Sequence, residues 1–183
     1  MADPAHGVVA ADRPGVATVA DPAHGVVAAD RPEVATIDTP PPTDRSAIAR
    51  HLAAERAGLG RMAPADLEEA VRAGALVVDI RPEVNRRIEG ELVGAVVVER
   101  IHLEWRLDPT SPHRIAEAVP GRRVVVVCNE GYSSSLAAAS LAVLGVEGAT
   151  DLIGGYRALL AAGSRLVGAP QPHVDPSAGP GPG

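Results

Sequence analysis

VVVVCNEGYSSS, residues 124–135, holds the most informative pattern in this chain. Four consecutive valines without polar alternation describe a strand covered on both faces, as in the parallel sheet of an α/β protein. Cys128 closes that strand, and Asn129, Glu130, Gly131, Tyr132 and Ser133 form a short loop. Ser134 is placed to cap a following helix expected over residues 134–144. So short a loop must turn sharply, and Gly131 permits backbone angles that other residues resist. Several backbone N–H groups then converge with a helix N-terminus on the cysteine sulfur and favour negative charge there. A cysteine ending an aliphatic strand is, taken alone, commonly a small buried hydrophobe. The glycine-containing loop and the helix start make this arrangement far more specific.

Away from the loop, aliphatic runs at residues 75–79, 95–98 and 149–153 alternate with helical or loop segments, and another helix is expected from near Gly155. The pattern is that of βα units around a mostly parallel sheet. Ligands bind beyond the carboxyl ends of strands in such sheets, and the run LVVDIRP (residues 76–82) ends in Asp79 and Arg81. Asp79 is read either as support for the site or as a tie for its own loop. Arg81 is read either as a ligand contact or as the partner of a surface acid such as Glu83. Trp105 is expected in the core, because the chain has no Phe, one Trp and two Tyr to fill its interior. His102 and His113 are expected at the surface. Upstream, Asp44 is the expected N-cap of a helix over residues 45–56, stopped by Gly58 and Gly60. A second helix is expected from Pro64, with Asp66, Glu68 and Glu69 near its start and Gly74 after its end.

The outer segments have a different character. ADPAHGVVAADRPGVATV at residues 2–19 is repeated as ADPAHGVVAADRPEVATI at residues 20–37, followed by three consecutive prolines at 40–42. Two near-identical Ala/Pro/Gly-rich copies read as a recent duplication and a disordered segment rather than as a solenoid. The expected division is a disordered duplicated segment with its proline linker over 1–43 and an N-terminal helix over 44–57. The domain follows over 58–168, and a disordered Pro/Gly tail over 169–183. The net charge of −6 and the lack of a clustered basic stripe argue against nucleic acid as a partner. No window approaches the roughly 18 apolar residues of a membrane span, so no membrane partner is expected. With a single cysteine and no Cys/His cluster, neither an internal disulfide nor a metal is indicated, and the expected setting is cytoplasmic.

These motifs together resemble the rhodanese homology domain. The resemblance runs in order through LVVDIRPE (76–83), GELVGAVVV (90–98), the loop CNEGYSS (128–134) and DLIGGYRAL (151–159). LEWRLDP (103–109) is similar to a bacterial, actinobacterial-type subgroup of single-domain rhodanese-like proteins that share the CNEGYSS loop. The resemblance implies an α/β rhodanese-like fold, with a mostly parallel five-stranded sheet and helices on both faces. It also implies a sulfurtransferase that carries sulfane sulfur as a persulfide on Cys128 and passes it to a thiol or other nucleophile. Residues Asn129, Glu130, Gly131, Tyr132, Ser133 and Ser134 would hold the persulfide and Asp79 would support the site. The implied partners are a small sulfur donor, a thiol acceptor and a protein sulfur acceptor, with no cofactor.

The sequence also departs from the family pattern. Many members carry Arg or Lys where this loop has Ser133, and Leu159 replaces a frequent Trp. Glu130 adds a charge that opposes an anionic donor such as thiosulfate. Arg81 and Arg106 are therefore candidates to supply a cation at the mouth of the loop. Two other readings remain open at this point. A non-catalytic rhodanese-like binding or regulatory module is one. A phosphatase is the other, although its arginine six positions after the cysteine is here Ser134 and the preceding residue is Val127.

Overall fold

The computed structural model of the chain describes residues 46–169. The duplicated segment, the triple proline, Asp44 and all but the first residue of the expected tail lie outside the described residues. Helix α1 spans Ala47–Ala57, and Ser46 caps it by accepting the Ala49 N–H at 3.1 Å. A 3₁₀ turn at Pro64–Asp66 leads into α2, Leu67–Arg72. Strand β1 (Leu76–Asp79), helix α3 (Glu83–Glu89), strand β2 (Val96–Val97) and helix α4 (Leu103–Leu107) follow. Strand β3 (Val124–Val127), helix α5 (Ser133–Val143), strand β4 (Ala149–Asp151) and helix α6 (Gly155–Ala161) complete the domain.

The sheet has the order β2-β1-β3-β4, and every pair is parallel. Val126 on β3 stands between Val78 on β1 and Asp151 on β4, so β3 is central and its carboxyl end opens in the middle of the sheet edge. The pleat sorts the strand residues between two cores. Leu76, Val78, Ile80, Val124, Val126 and Cys128 pack with Leu103 and Leu107 of α4 and with Ala137, Ala138 and Leu141 of α5. Val77, Val125 and Val127 pack with Leu67 and Ala70 of α2 and with Tyr156 and Leu159 of α6. Helices thus cover both faces, which is why β3 needs no polar residue. Helix α1 lies against α5 and buries Leu52. Among the described residues, no helix is long and apolar enough to cross a membrane.

Two expectations require correction. Four strands, rather than five, are present among the described residues. Beyond β4, Met62 makes a single parallel bridge to Leu152, with its N–H on the Asp151 carbonyl and its carbonyl accepting the Ile153 N–H, both at 2.9 Å. Pro64 follows two residues later and turns the chain into the 3₁₀ segment before a strand can extend. Trp105 is 59% exposed rather than in the core. Leu103 and Leu107, four residues apart, take the buried face of the short α4, and Trp105 falls on the opposite side. There it lines a surface groove of about 850 Å³ with Val97, His102, Arg106 and His113.

The end of β1 is fixed by a buried ion pair. Arg81 is fully buried, and its Nε and Nη2 reach both Asp79 carboxylate oxygens at 2.8–3.1 Å while Nη2 also donates to the Gly90 carbonyl at 2.9 Å. Its guanidinium stacks 3.5 Å above the Tyr156 ring and lies 3.6 Å from Glu89. Burial, ahead of the opposing charge of Arg81, pushes the Tyr156 hydroxyl up from its ordinary range. Arg81 thus ties β1 to α3 and α6. Neutralising Asp79 leaves the buried Arg81 with only the longer contact to Glu89 at 3.6 Å, and breaking a buried pair costs about 3 kcal/mol or more. Asp79→Asn is therefore expected to lower the unfolding free energy by that amount in a urea titration. A loss under about 1 kcal/mol, the value of a surface pair, would contradict this role.

Candidate active site around Cys128

The loop after β3 wraps around its own sulfur. Cys128 is 7% exposed, and its Sγ accepts the Gly131 N–H at 3.2 Å and the Ser134 N–H at 3.4 Å. Ser134 Oγ lies 3.1 Å away. Ser134 thus serves the sulfur and not the expected helix cap: α5 begins at Ser133, with Tyr132 in the cap position and no side-chain cap bond. Sulfur is a weak acceptor as a thiol, and converging backbone N–H groups form a concavity suited to an anion.

Two glycines allow this geometry. Gly131 has φ +77°, and a Cβ there would stand 2.8 Å from the Leu152 carbonyl oxygen. Gly155 has φ +60°, and its Cβ would stand 2.4 Å from the Cys128 carbonyl oxygen and 2.5 Å from that of Asn129. Backbone contacts of this closeness cannot be relieved by a rotamer change. The start of α6 then seals the loop, with the Tyr156 N–H on the Cys128 carbonyl at 2.8 Å and the Arg157 N–H on the Asn129 carbonyl at 3.1 Å.

A polar lattice holds the outer side of the loop. The Gly131 carbonyl accepts from Arg56 Nη2 at 2.6 Å and lies 2.9 Å from Ser135 Oγ and 3.4 Å from Arg61 Nη2. Ser135 Oγ is also 2.7 Å from Asp151 Oδ2 and accepts from Arg56 Nε at 3.0 Å. Arg61 meets the fully buried Asp151 in a two-pronged pair at 2.8 and 2.9 Å. Arg56, Arg61, Ser135, Asp151 and Gly155 are thus part of the site although the loop sequence does not point to them. Asp151 and Gly155 lie in DLIGGYRAL, whereas Arg56 has no local signal at all.

The residues expected at the site divide into two groups. Cys128, Gly131 and Ser134 meet at the sulfur. Tyr132 lies under Arg56, whose guanidinium carbon is 5.6 Å from the ring centroid, and Ser133 is the first residue of α5. Asn129 is buried, and among the described residues neither its side-chain oxygen nor its nitrogen has a hydrogen-bond partner. Glu130 pairs with Arg157 Nη1 at 3.0 Å, and Arg157 also grips Glu89 at 2.8 Å, so the charge expected to oppose an anionic donor is offset. Arg81 does not supply the missing cation, because its guanidinium is enclosed by Asp79, Gly90 and Tyr156. Asp79 correspondingly holds Arg81, including its backbone N–H at 2.9 Å, and so ties its own loop and not the Cys128 loop. Arg106 is exposed, and its guanidinium donates to the His113 carbonyl at 3.0 Å and not to the Cys128 loop.

Comparison with known proteins identifies the family and the fold. The rhodanese-like domain family matches residues 63–162, more than half of the chain, and the chain belongs to that family. Its fold is the rhodanese-like α/β fold. Among solved structures it is similar to a protein of unknown function from Rhodopseudomonas palustris, described as a possible tyrosine phosphatase. That match has 26% identity and a TM-score of 0.60 and covers 69% of this chain and 98% of that one. It is similar in fold to the rhodanese-like domain of an Anabaena protein, at 20% identity and a TM-score of 0.50, covering 66% and 87% of the two chains. A human single-domain sulfurtransferase matches at 22% identity and a TM-score of 0.48, covering 57% and 97%. No curated protein matches the chain.

Gly131→Ala tests whether the loop needs its left-handed turn. A non-glycine residue at this φ costs about 1–3 kcal/mol, before any contact with Leu152. Thermal melting is expected to show that loss, and reaction of Cys128 with iodoacetamide is expected to slow as the Gly131 N–H leaves the sulfur. Parent-like melting and reaction rate together would show that the turn is not required.

Proposed function

We propose that the protein is a sulfurtransferase that carries sulfane sulfur on Cys128. The observation that carries this reading is the pair of backbone N–H groups, from Gly131 and Ser134, directed at one buried cysteine sulfur. The Cys128 thiolate attacks the outer sulfur of a donor, the donor's S–S bond breaks, and its remainder leaves as sulfite from thiosulfate or as a thiolate from a persulfide. The new S–S bond leaves the negative charge on the terminal sulfur, where loop amides and the α5 N-terminus favour it. An acceptor thiolate then attacks that terminal sulfur, takes it as a persulfide and restores the Cys128 thiolate. No external oxidant or reductant enters the cycle, which is ordinary thiolate exchange at sulfur. The unpartnered amide of Asn129 supports the same reading, since a buried polar group of this kind is repaid when a bound group completes it. We take the setting to be cytoplasmic, the acceptor to be a small thiol or a protein thiol, and no cofactor to take part.

The description of the Rhodopseudomonas relative raises phosphate ester hydrolysis as a second reading. That chemistry needs a guanidinium fork over the phosphate oxygens, and the position where the loop would carry it holds Ser134, whose hydroxyl lies against the sulfur. Sulfur transfer is therefore the better fit.

The reading is tested by assaying transfer from thiosulfate and from a low-molecular-weight persulfide to a thiol acceptor, alongside hydrolysis of a phosphate monoester. Transfer from at least one donor is expected, with no turnover of the ester. Cys128→Ser is expected to abolish transfer while preserving the melting curve. Equal transfer by a folded Cys128→Ser variant, or ester hydrolysis without sulfur transfer, would overturn the assignment.

A further inference from the structure

A cation outside the matched family domain touches the loop: the guanidinium of Arg56. Helix α1 ends at Ala57, before residue 63, where the family match begins, and its last turn carries Arg56. Its guanidinium is half-buried against the loop, donating to the Gly131 carbonyl and to Ser135 Oγ and lying over the Tyr132 ring. Among the described residues no carboxylate forms an ion pair with Arg56, whereas Arg61 beside it is paired with Asp151.

Two consequences follow from the geometry. In a trans peptide the C=O and the next N–H point in opposite directions. With the Gly131 carbonyl held outward by Arg56, the Tyr132 N–H turns to the other side of the loop, and it donates to no atom among the described residues. The second consequence is electrostatic. A guanidinium bound to the loop's own carbonyl adds a full positive charge to a site otherwise served by partial ones. Burial first, and then the neighbouring Arg61 charge, pull the Arg56 guanidinium below its ordinary value, while Asp151, Tyr132 and Cys128 pull it the other way.

We propose that Arg56 is a positioning and specificity residue for Cys128: it clamps the Gly131–Tyr132 peptide so that its N–H faces the sulfur side, and it provides the positive potential that admits an anionic sulfur donor. Helix α1 is then a part of the active site and not an appendage to the domain. This rests on the sulfur-transfer reading for its biological meaning, but the charge and the clamp can be measured independently of transfer.

Because Cys128 is the only cysteine in the chain, alkylation reports on this one sulfur. The rates of reaction with anionic iodoacetate and neutral iodoacetamide are measured on the full chain and expressed as a ratio. A local positive charge raises that ratio, and its loss in Arg56→Gln is expected to lower it by about threefold or more at low ionic strength. Arg56→Lys keeps the charge and is expected to keep most of the ratio, which a purely structural role would not produce. Arg56→Met retains the apolar stem and gives a second neutral variant whose folding is checked by melting. In the transfer assay, kcat/KM for thiosulfate is expected to fall more in Arg56→Gln than in Arg56→Lys. A ratio equal to the parent's in folded Arg56→Gln or Arg56→Met would overturn the proposal, as would an equal fall in Arg56→Lys. Absence of transfer in every protein, with the ratio changing as expected, would count against the sulfur-transfer reading and leave the role of Arg56 in place.

Discussion

Gly131 turns the chain at φ +77° where a Cβ would stand within 3 Å of the backbone that follows β4, and its N–H lies on the Cys128 sulfur. Most of the surrounding structure follows from that single close approach. The chain can leave β3 and enter α5 within a few residues only by a turn of this kind, and the turn fits only because Gly154 and Gly155 bring α6 in beneath it. The first N–H groups of α6 then satisfy the carbonyls of Cys128 and Asn129. A buried loop otherwise leaves polar backbone groups without partners. Here each helix terminus serves the loop: α5 from the sulfur side and α6 from the carbonyl side.

Charge around the loop is arranged in matched pairs with one exception. Arg81 meets Asp79, Arg61 meets Asp151, and Arg157 meets Glu89 and Glu130. Each of these pairs crosses between elements that must keep register for the loop to hold its form. Asp79 and Arg81 bind β1 to α3 and α6, while Asp151 and Arg61 bind β4 to the segment before α2. The pairs hold the scaffold. Arg56 differs because its hydrogen bonds go to neutral oxygens, so its charge is not cancelled by a contact.

How much was legible in the sequence depended on how far apart the interacting residues lie. The βα order, both helix-covered faces and the reactive loop were readable because each is written in a contiguous run: the unbroken valines of β3, the glycine three residues after Cys128, the aliphatic stretch before Asp79. Tertiary choices were not readable. Trp105 reads as core by size and scarcity, yet Leu103 and Leu107 already fill the inward face of α4. Arg81 was a candidate for the loop mouth and is instead enclosed by Tyr156, which lies 75 positions away in sequence. Arg56 was unmarked, since a lone arginine near the end of a polar helix carries no sign of the carbonyl it will meet. That four strands are present among the described residues has the same origin, because only the pairing geometry reveals that Met62 contributes a single bridge.

The central claim is that Cys128, with the Gly131 and Ser134 N–H groups directed at its sulfur, holds a transferable sulfur atom. Intact-protein mass spectrometry tests it most directly, on the full chain incubated with a sulfur donor, freed of excess reagent and then exposed to a thiol acceptor. The account predicts a gain of one sulfur atom, located on the peptide bearing Cys128, and its complete loss to the acceptor. A chain that stays unmodified with every donor, or that gains sulfur the acceptor cannot remove, would contradict it.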